Sequence, residues 1–232
     1  FTRSTWECQV CFNINIKYIH ITKQLQTFIS NKSIYSPIKQ CFIWYNRKIE
    51  GVIKMAIDGL LLRQLFKQID KTLPAKILKI QQISDSELLF SLRTNKGNKK
   101  LLISTHSVYN RINYTNASYT TMEVPNNFVM LLRKQIDGGI IKSMEQIGLD
   151  RILHMVVEAR NEMGDIHEKN LYIELMGKYA NVILVDEDGR IIDALKRIPP
   201  FENNKRTILP NVMFQLPAPH LDKQDPYHYE SI

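Results

Sequence analysis

The sequence predicts an α+β fold in which antiparallel β-sheets pack as a sandwich with flanking helices. Nine short runs rich in β-forming residues are separated by glycine-containing or polar turns. Two segments show the apolar period of an amphipathic helix. Strands and helices therefore do not alternate as they do in a parallel α/β sheet, which favours antiparallel pairing.

The first helix is predicted to begin after Asp58, whose short carboxylate suits an N-cap, and to end before Pro74. Its apolar residues fall on one stripe, as expected for a helix that packs against a core. The stripe consists of Leu61, Leu62, Leu65, Phe66, Ile69 and Leu73.

A first group of strands follows, and its tightest connection is the Lys96-Gly97-Asn98 turn. Residues 125–137 then predict the second helix, with Pro125 at its start and Gly138-Gly139 as its stop. A second group of strands runs to residue 195, with turns at glycines 148, 164, 177 and 189. The predicted strands are 75–82, 87–94, 100–105, 109–114, 140–146, 152–159, 171–175, 182–186 and 191–195.

The two ends of the chain differ in composition from this central domain. Residues 1–54 carry 8 Lys and Arg against 2 Asp and Glu, all three cysteines and both tryptophans, without a clear helical or strand period. We interpret them as a non-native or disordered leader, with the functional chain starting at Met55. Residues 55–198 form the predicted domain, and the proline-rich residues 199–232 are predicted to be a loop or the start of a linker.

Residues 55–232 lack the common enzyme signatures, including a glycine-rich phosphate loop, a Gly-x-Ser-x-Gly elbow and a His-Glu-x-x-His helix. The Cys8-x-x-Cys11 pair has no second pair of ligands at zinc spacing, so no metal site and no cofactor are predicted. No secretory signal and no membrane-length apolar segment occurs, which predicts a cytoplasmic protein without a membrane partner.

The dipeptide Asp150-Arg151 in a predicted inter-strand turn is the strongest local feature. Such a pair often only solvates the turn or forms an ion pair of small energy. In a binding site, the Arg fork grips phosphate or a base edge and the Asp accepts hydrogen bonds from base amino groups. Candidate phosphate contacts elsewhere in the sequence are Arg111, Arg133, Lys134 and Arg160.

A second candidate segment, residues 174–181, follows a predicted strand. Gly177 permits a bend, Tyr179 offers a ring for base stacking and Lys178 offers a charge for phosphate. The alternative interpretation is a plain β-turn with a core Met and a half-buried Tyr. Spacing alone leaves both open.

Several strings, taken together and in order, resemble the N-terminal domain of the NFACT family, which is also catalogued as fibronectin-binding A proteins. The resemblance covers essentially all of residues 55–228. Its strings are residues 55–59, 100–111, 130–134, 146–152, 161–164 and 174–178.

The resemblance implies a ribosome quality-control protein of the RqcH type. Such proteins bind large ribosomal subunits that carry an obstructed nascent chain and recruit alanyl-tRNA for alanine tailing. It implies tRNA recognition by Asp150 and Arg151, and tRNA contact by a second segment that contains Glu174 and Met176. Family members continue into further domains, so a chain of this extent is expected to bind tRNA weakly by itself.

The family fold is similar to the N-terminal domain of formamidopyrimidine-DNA glycosylases. Those enzymes use an N-terminal proline followed by a glutamate, whereas Met55 is followed by Ala56 here. A binding protein, not an enzyme, is therefore expected. A fibronectin-binding surface adhesin is the alternative that the older family name suggests.

Overall fold

The structure, a computed structural model, describes residues 57–160, 163–202 and 206–218. The predicted leader, the Cys8-x-x-Cys11 pair and Asn161-Glu162 of the family strings lie outside these residues. No helix in the described ranges is long and apolar enough to cross a membrane. Those same ranges contain no cluster of three or more His, Cys, Asp or Glu side chains placed to hold a metal ion.

Helix α1 spans Gly59–Asp70 and confirms the predicted cap. The Asp58 side chain accepts a hydrogen bond from the Leu61 backbone N–H at 2.8 Å, which satisfies one donor of the first turn. Leu62 and Ile69 are buried, and Leu65 packs beside them on the core. The apolar stripe therefore faces the core as its spacing predicted.

The described residues contain nine strands in one antiparallel sheet of order β4-β3-β2-β1-β5-β6-β7-β8-β9. The strands are β1 Ala75–Ser84, β2 Glu87–Thr94, β3 Gly97–Ser104, β4 Arg111–Thr115, β5 Ile140–Gln146, β6 Ile152–Arg160, β7 Ile166–Glu174, β8 Asn181–Val185 and β9 Ile191–Ala194.

The prediction of packed antiparallel sheets needs one correction, because hydrogen bonds join all nine strands. The joint between the two halves is short: β1 and β5 pair only through Ala75 with Ile141 and Lys76 with Ile140. One buried cluster nevertheless contains Phe90 of β2 and Val157 of β6. The two halves of a single sheet thus share one core with α1 and with a second helix.

Helix α2 spans Asn127–Ile136 and contributes its buried face to this core. Its cap is Asn126, which accepts from the Val129 backbone N–H, while Pro125 lies outside the helix. Arg133 in the last turn donates its Nε to the Ile80 carbonyl oxygen at 2.8 Å. Arg133 was predicted to contact phosphate, and in the structure its side chain instead links α2 to β1.

Strand β7 begins five residues earlier than predicted. Its polar first half, Ile166–Asn170, lacks an apolar alternation, yet it pairs in register with residues 156–160 of β6. Backbone pairing with a long neighbour here outweighs the weak strand signal of the side chains.

Part of the predicted linker belongs to the folded domain. Residues 206–214, which we name the strap, pair with residues on either side of β9 through the isolated bridges Ile198–Ile208 and Arg190–Met213. Ile208 is buried in a second, smaller apolar cluster, and Phe214 packs against that cluster. Apolar side chains at alternating positions therefore hold this segment on the sheet despite Pro210.

Candidate nucleic-acid interface

Three loops from the two halves of the sheet meet in one region, which we name the loop end: residues 105–110, 147–151 and 175–180. The Arg151 carbonyl oxygen accepts a hydrogen bond from the Leu175 backbone N–H at 2.8 Å. With its side-chain amide oriented to satisfy both neighbours, Asn110 donates to the Leu175 carbonyl oxygen at 3.0 Å and accepts from the Gly177 N–H at 3.3 Å. The two segments singled out in the sequence, at Asp150-Arg151 and at 174–178, are thus neighbours in space.

The β5–β6 loop is a tight turn held by side chains on both sides. Asp150 donates its backbone N–H to the Ile147 carbonyl oxygen at 3.0 Å, and Gly148 adopts a φ of +55° that favours glycine. Gln146 donates its Nε2 to the Asp150 carbonyl oxygen at 2.8 Å and to the Gly59 carbonyl oxygen at 2.9 Å. The loop is therefore preorganised rather than loose.

Helix α1 docks on this loop through its first residues. A Cβ at Gly59 would overlap the Leu149 carbonyl group, so glycine alone fits the observed backbone contact. Arg63, one turn later, donates its Nη2 to the Gly148 carbonyl oxygen at 2.9 Å. The start of α1 and the candidate loop are one packed unit.

The side chains of Asp150 and Arg151 are both half-buried. The Arg151 Nη1 lies 3.5 Å from the Ile57 carbonyl oxygen, at the outer limit of a hydrogen bond. Because a guanidinium carries five N–H donors, this contact orients the side chain while leaving donors for a ligand. An arginine held in this way suits bidentate recognition of phosphate or a base edge.

Glu174 is placed differently from what a direct ligand contact requires. Only 1% of it is exposed, and its carboxylate accepts from Arg206 Nη1 at 2.9 Å and Nη2 at 2.7 Å. Burial raises the pKa of this carboxyl, and the hydrogen bonds and charge of Arg206 offset part of that rise. The prediction that Glu174 contacts tRNA directly is therefore wrong. The Glu174 carboxylate instead holds Arg206, and with it the start of the strap, at the loop end.

The residues after Glu174 do reach the surface. Met176 is half-buried, and a short 3-10 helix at Gly177–Tyr179 follows it. Tyr179 is 53% exposed, and the Lys178 Nζ lies 4.9 Å from the centre of its ring. An exposed ring beside an ammonium group is suited to stacking on a base and contacting its phosphate.

The predicted phosphate contacts do not share one surface. Arg111 begins β4 at the loop end, where it forms a 3.2 Å salt bridge with Glu87. Arg160 ends β6, roughly 30 Å from Arg151 at about 3.3 Å per residue. There, Arg160 and Lys134 line a groove together with Asp186 and Glu187. Only Arg111 and Lys178 belong to the end that contains Asp150-Arg151.

Sequence reasoning missed several residues that build the loop end. Lys196 donates its ammonium to the Thr105 and Ala180 carbonyl oxygens, both at 2.9 Å, and burial lowers its pKa. Arg63 and Asn110 support the loops in the same way. No local pattern marks these three residues, because each contacts backbone far away in the sequence.

A comparison with protein families matches residues 58–232 to the NFACT N-terminal and middle domains. Among curated proteins, the chain is 40% identical over 174 residues to "Rqc2 homolog RqcH" of Bacillus subtilis, covering 74% of this chain and 30% of that protein. It is 38% identical over 175 residues to the protein of the same name from Streptococcus suis, with 75% and 32% covered. The chain thus spans about a third of the length of these relatives.

Two solved structures are similar along the same part of the chain. The N-terminal domain of the fibronectin-binding protein PavA from Streptococcus pneumoniae gives a TM-score of 0.70 at 34% identity, covering 75% of this chain and 69% of that one. The N-terminal part of the fibronectin/fibrinogen-binding protein from Streptococcus suis gives 0.71 at 37% identity, with 75% and 66% covered.

Proposed function

Since the chain belongs to the NFACT family, we propose that it contributes a tRNA-binding module to a ribosome quality-control factor that acts on the large ribosomal subunit. The module acts by binding and not by catalysis, and its place of action is the cytoplasm. In this proposal its partners are a tRNA, preferentially alanyl-tRNA, and a subunit with an obstructed nascent chain. The glycosylase-like fold stays a prediction.

The observation that carries the proposal is the 2.8 Å hydrogen bond between the Leu175 N–H and the Arg151 carbonyl oxygen. It joins two segments that are 24 residues apart in the sequence and that the family resemblance associates with tRNA independently. If both segments contact the same tRNA, they have to lie on one surface, as they do here. If the two segments had unrelated functions, nothing would require them to be adjacent.

Each residue has a separate part in this surface. The Arg151 guanidinium contacts phosphate or a base edge, and the Asp150 carboxylate accepts from a base amino group. Tyr179 offers its exposed ring for stacking, and Lys178 neutralises a phosphate. Met176 is half-buried in the same loop as Lys178 and Tyr179, and the buried Glu174 holds the end of β7 from which that loop begins.

Equilibrium binding of tRNA to the full chain tests this assignment. Three proteins are compared at two salt concentrations: the parent, Asp150→Ala with Arg151→Ala, and Arg151→Lys. Because Lys keeps the charge but lacks the planar fork, Arg151→Lys is expected to weaken binding about tenfold, the range of one good bidentate contact. The double variant is expected to lose most tRNA-specific binding.

A matched control is Asp188→Ala with Arg190→Ala in the β8–β9 turn, which removes the same two types of charge at the other end of the sheet. It is expected to bind tRNA like the parent. Equal binding by parent, loop variants and control, with the same salt dependence, would overturn the assignment of recognition to Asp150 and Arg151.

Fibronectin binding is the second candidate function, because two structurally similar proteins are named for it. Binding of the same purified chain to immobilised fibronectin separates the two candidates. Saturable binding to fibronectin that the loop substitutions leave unchanged, together with no measurable tRNA binding, would favour the adhesin.

A further inference from the structure

Four cations lie on the outer face of the β1–β3 half of the sheet, and we name Lys76, Lys79, Arg93 and Lys100 the basic face. The strand register places Lys76 opposite Arg93, and Lys79 opposite Ser91. Ser91 in turn pairs with Lys100 on its other side. Directly opposed residues point to the same face of a sheet, so the four side chains project together.

A β-bulge is required for this arrangement. Lys76 and Lys79 are three residues apart and would point to opposite faces of a regular strand. The register shift between Ile77 and Lys79 inserts Leu78 as an extra residue and returns Lys79 to the face of Lys76. Ile77 and Ile80, on either side, are both fully buried in the core.

The charges of the basic face are not balanced locally. Lys76, Lys79 and Arg93 are exposed and take part in no salt bridge within the part of the chain that the structure describes. The Lys100 Nζ contacts the Ala117 carbonyl oxygen at 3.4 Å, which is a neutral group. Like charges directly opposite each other, as at Lys76 and Arg93, destabilise a sheet unless an anion lies between them.

We infer that the basic face binds the phosphate backbone of structured RNA as a second contact surface, separate from the loop end. The spacing suits a polyanion better than one acidic group. Lys79 and Lys100 are two strand spacings apart, about 9.5 Å, while Lys76 and Arg93 are about 5 Å apart. Ser91 lies between Lys79 and Lys100, and Asn98 lies beside Arg93 on β3, so a hydroxyl and an amide that can donate to phosphate oxygens adjoin the cations.

This inference rests on the proposed RNA-binding function and extends it along the molecule. Arg93 lies six residues from the loop-end terminus of β2, about 20 Å away at roughly 3.4 Å per residue. A tRNA or a ribosomal RNA helix is large enough to contact both surfaces. In this division, Asp150 and Arg151 supply discrimination, while the basic face supplies affinity that is independent of sequence and dependent on salt.

The test measures binding of tRNA, and of an RNA hairpin without tRNA features, to the full chain over a range of salt. The face variant combines Lys76→Gln, Lys79→Gln and Arg93→Gln. Its control combines Lys67→Gln, Lys169→Gln and Arg190→Gln, which removes two lysines and one arginine elsewhere. For each phosphate that the protein no longer neutralises, affinity at 0.1 M salt is expected to fall about five- to eightfold, and the slope of log affinity against log salt to fall by about 0.7–0.9.

We expect the face variant to lose affinity for both RNAs and the control to lose little. Equal losses in both variants would show that binding follows net charge and would overturn the inference, as would an unchanged face variant. A basic face that binds vesicles of anionic lipid but not RNA would overturn it as well. If the Asp150 and Arg151 variants bind tRNA like the parent while the face variant loses affinity, the proposed recognition site is wrong and the basic face is still supported.

Because the variants could lose RNA binding by misfolding, the basic face is also tested on the unsubstituted chain. Lysine amines are labelled with and without bound tRNA, and modification is read by mass spectrometry. Lys76, Lys79 and Lys100 are expected to be protected by tRNA while Lys67 is not. Unchanged labelling of the three lysines at saturating tRNA would contradict the inference.

Discussion

Gly59, at the start of α1, contacts the carbonyl group of Leu149 so closely that no side chain fits between them. The contact joins the first helix to the loop that contains Asp150 and Arg151. It also gives a physical reason for the glycine in the string at residues 55–59. The geometry of the candidate interface therefore depends on a residue 91 positions away from Asp150.

The first prediction concerns Gly59→Ala. In an exposed helix, this change usually stabilises a protein by about 0.5–1 kcal/mol. We expect the opposite sign here, with the free energy of unfolding lowered by about 1–3 kcal/mol, because the added Cβ forces α1 away from the loop. Urea denaturation measures the change. Gln64→Ala, at an exposed position of α1, is the control and should alter stability by less than about 0.5 kcal/mol.

The second prediction concerns the buried pair of Glu174 and Arg206. Arg206→Met leaves the buried carboxylate without its partner and is expected to cost about 3–5 kcal/mol at neutral pH. Adding Glu174→Gln removes the stranded charge, so the double variant should be more stable than Arg206→Met alone. A double variant no more stable than the single one would contradict this account of the pair.

The pH dependence of Arg206→Met has a definite sign. Burial raises the pKa of Glu174 and Arg206 lowers it, so removing Arg206 moves this pKa further above its unfolded value. A raised carboxyl pKa contributes stability below the unfolded pKa, and this contribution is lost as pH rises through the folded pKa. The destabilisation should therefore be larger at pH 7 than near pH 4, as measured by denaturation at both values.

The third prediction tests whether the strap belongs to the folded domain. Phe214 stacks on Tyr172 with ring centres 4.0 Å apart, and Tyr172 stacks on His154 at 4.6 Å. Phe214→Ala is expected to lower the free energy of unfolding by about 2–3 kcal/mol through reduced burial and stacking. Phe201→Ala is the control, because Phe201 is 83% exposed. Equal effects of the two substitutions would mean that the strap does not contribute to stability.

Features encoded by neighbouring residues were predictable from the sequence. Asp58 and the apolar stripe after it specify α1, and the bounds of β2 and β5 were predicted as the structure has them. In each case, the signal is a local period between turn-forming residues. The placement of Asp150-Arg151 in the β5–β6 turn was predictable for the same reason.

Features that depend on distant partners were not predictable in this way. The burial of Glu174 requires Arg206, 32 residues later, in a segment whose prolines suggested a linker. The alternation of Ile208, Val212 and Phe214 is a signal that could have identified the strap. Nothing local indicates that Lys196 bridges two loops or that β1 pairs with β5.

Photo-crosslinking from Tyr179 to tRNA tests the central claim most directly. A photoreactive phenylalanine analogue is placed at Tyr179 at the loop end, or at Asp188 in the acidic β8–β9 turn as the control. We predict a tRNA crosslink from position 179 that Arg151→Ala abolishes, and none from position 188. Equal crosslinking from both positions, or a crosslink from position 179 that persists without Arg151, would contradict recognition of tRNA at the loop end.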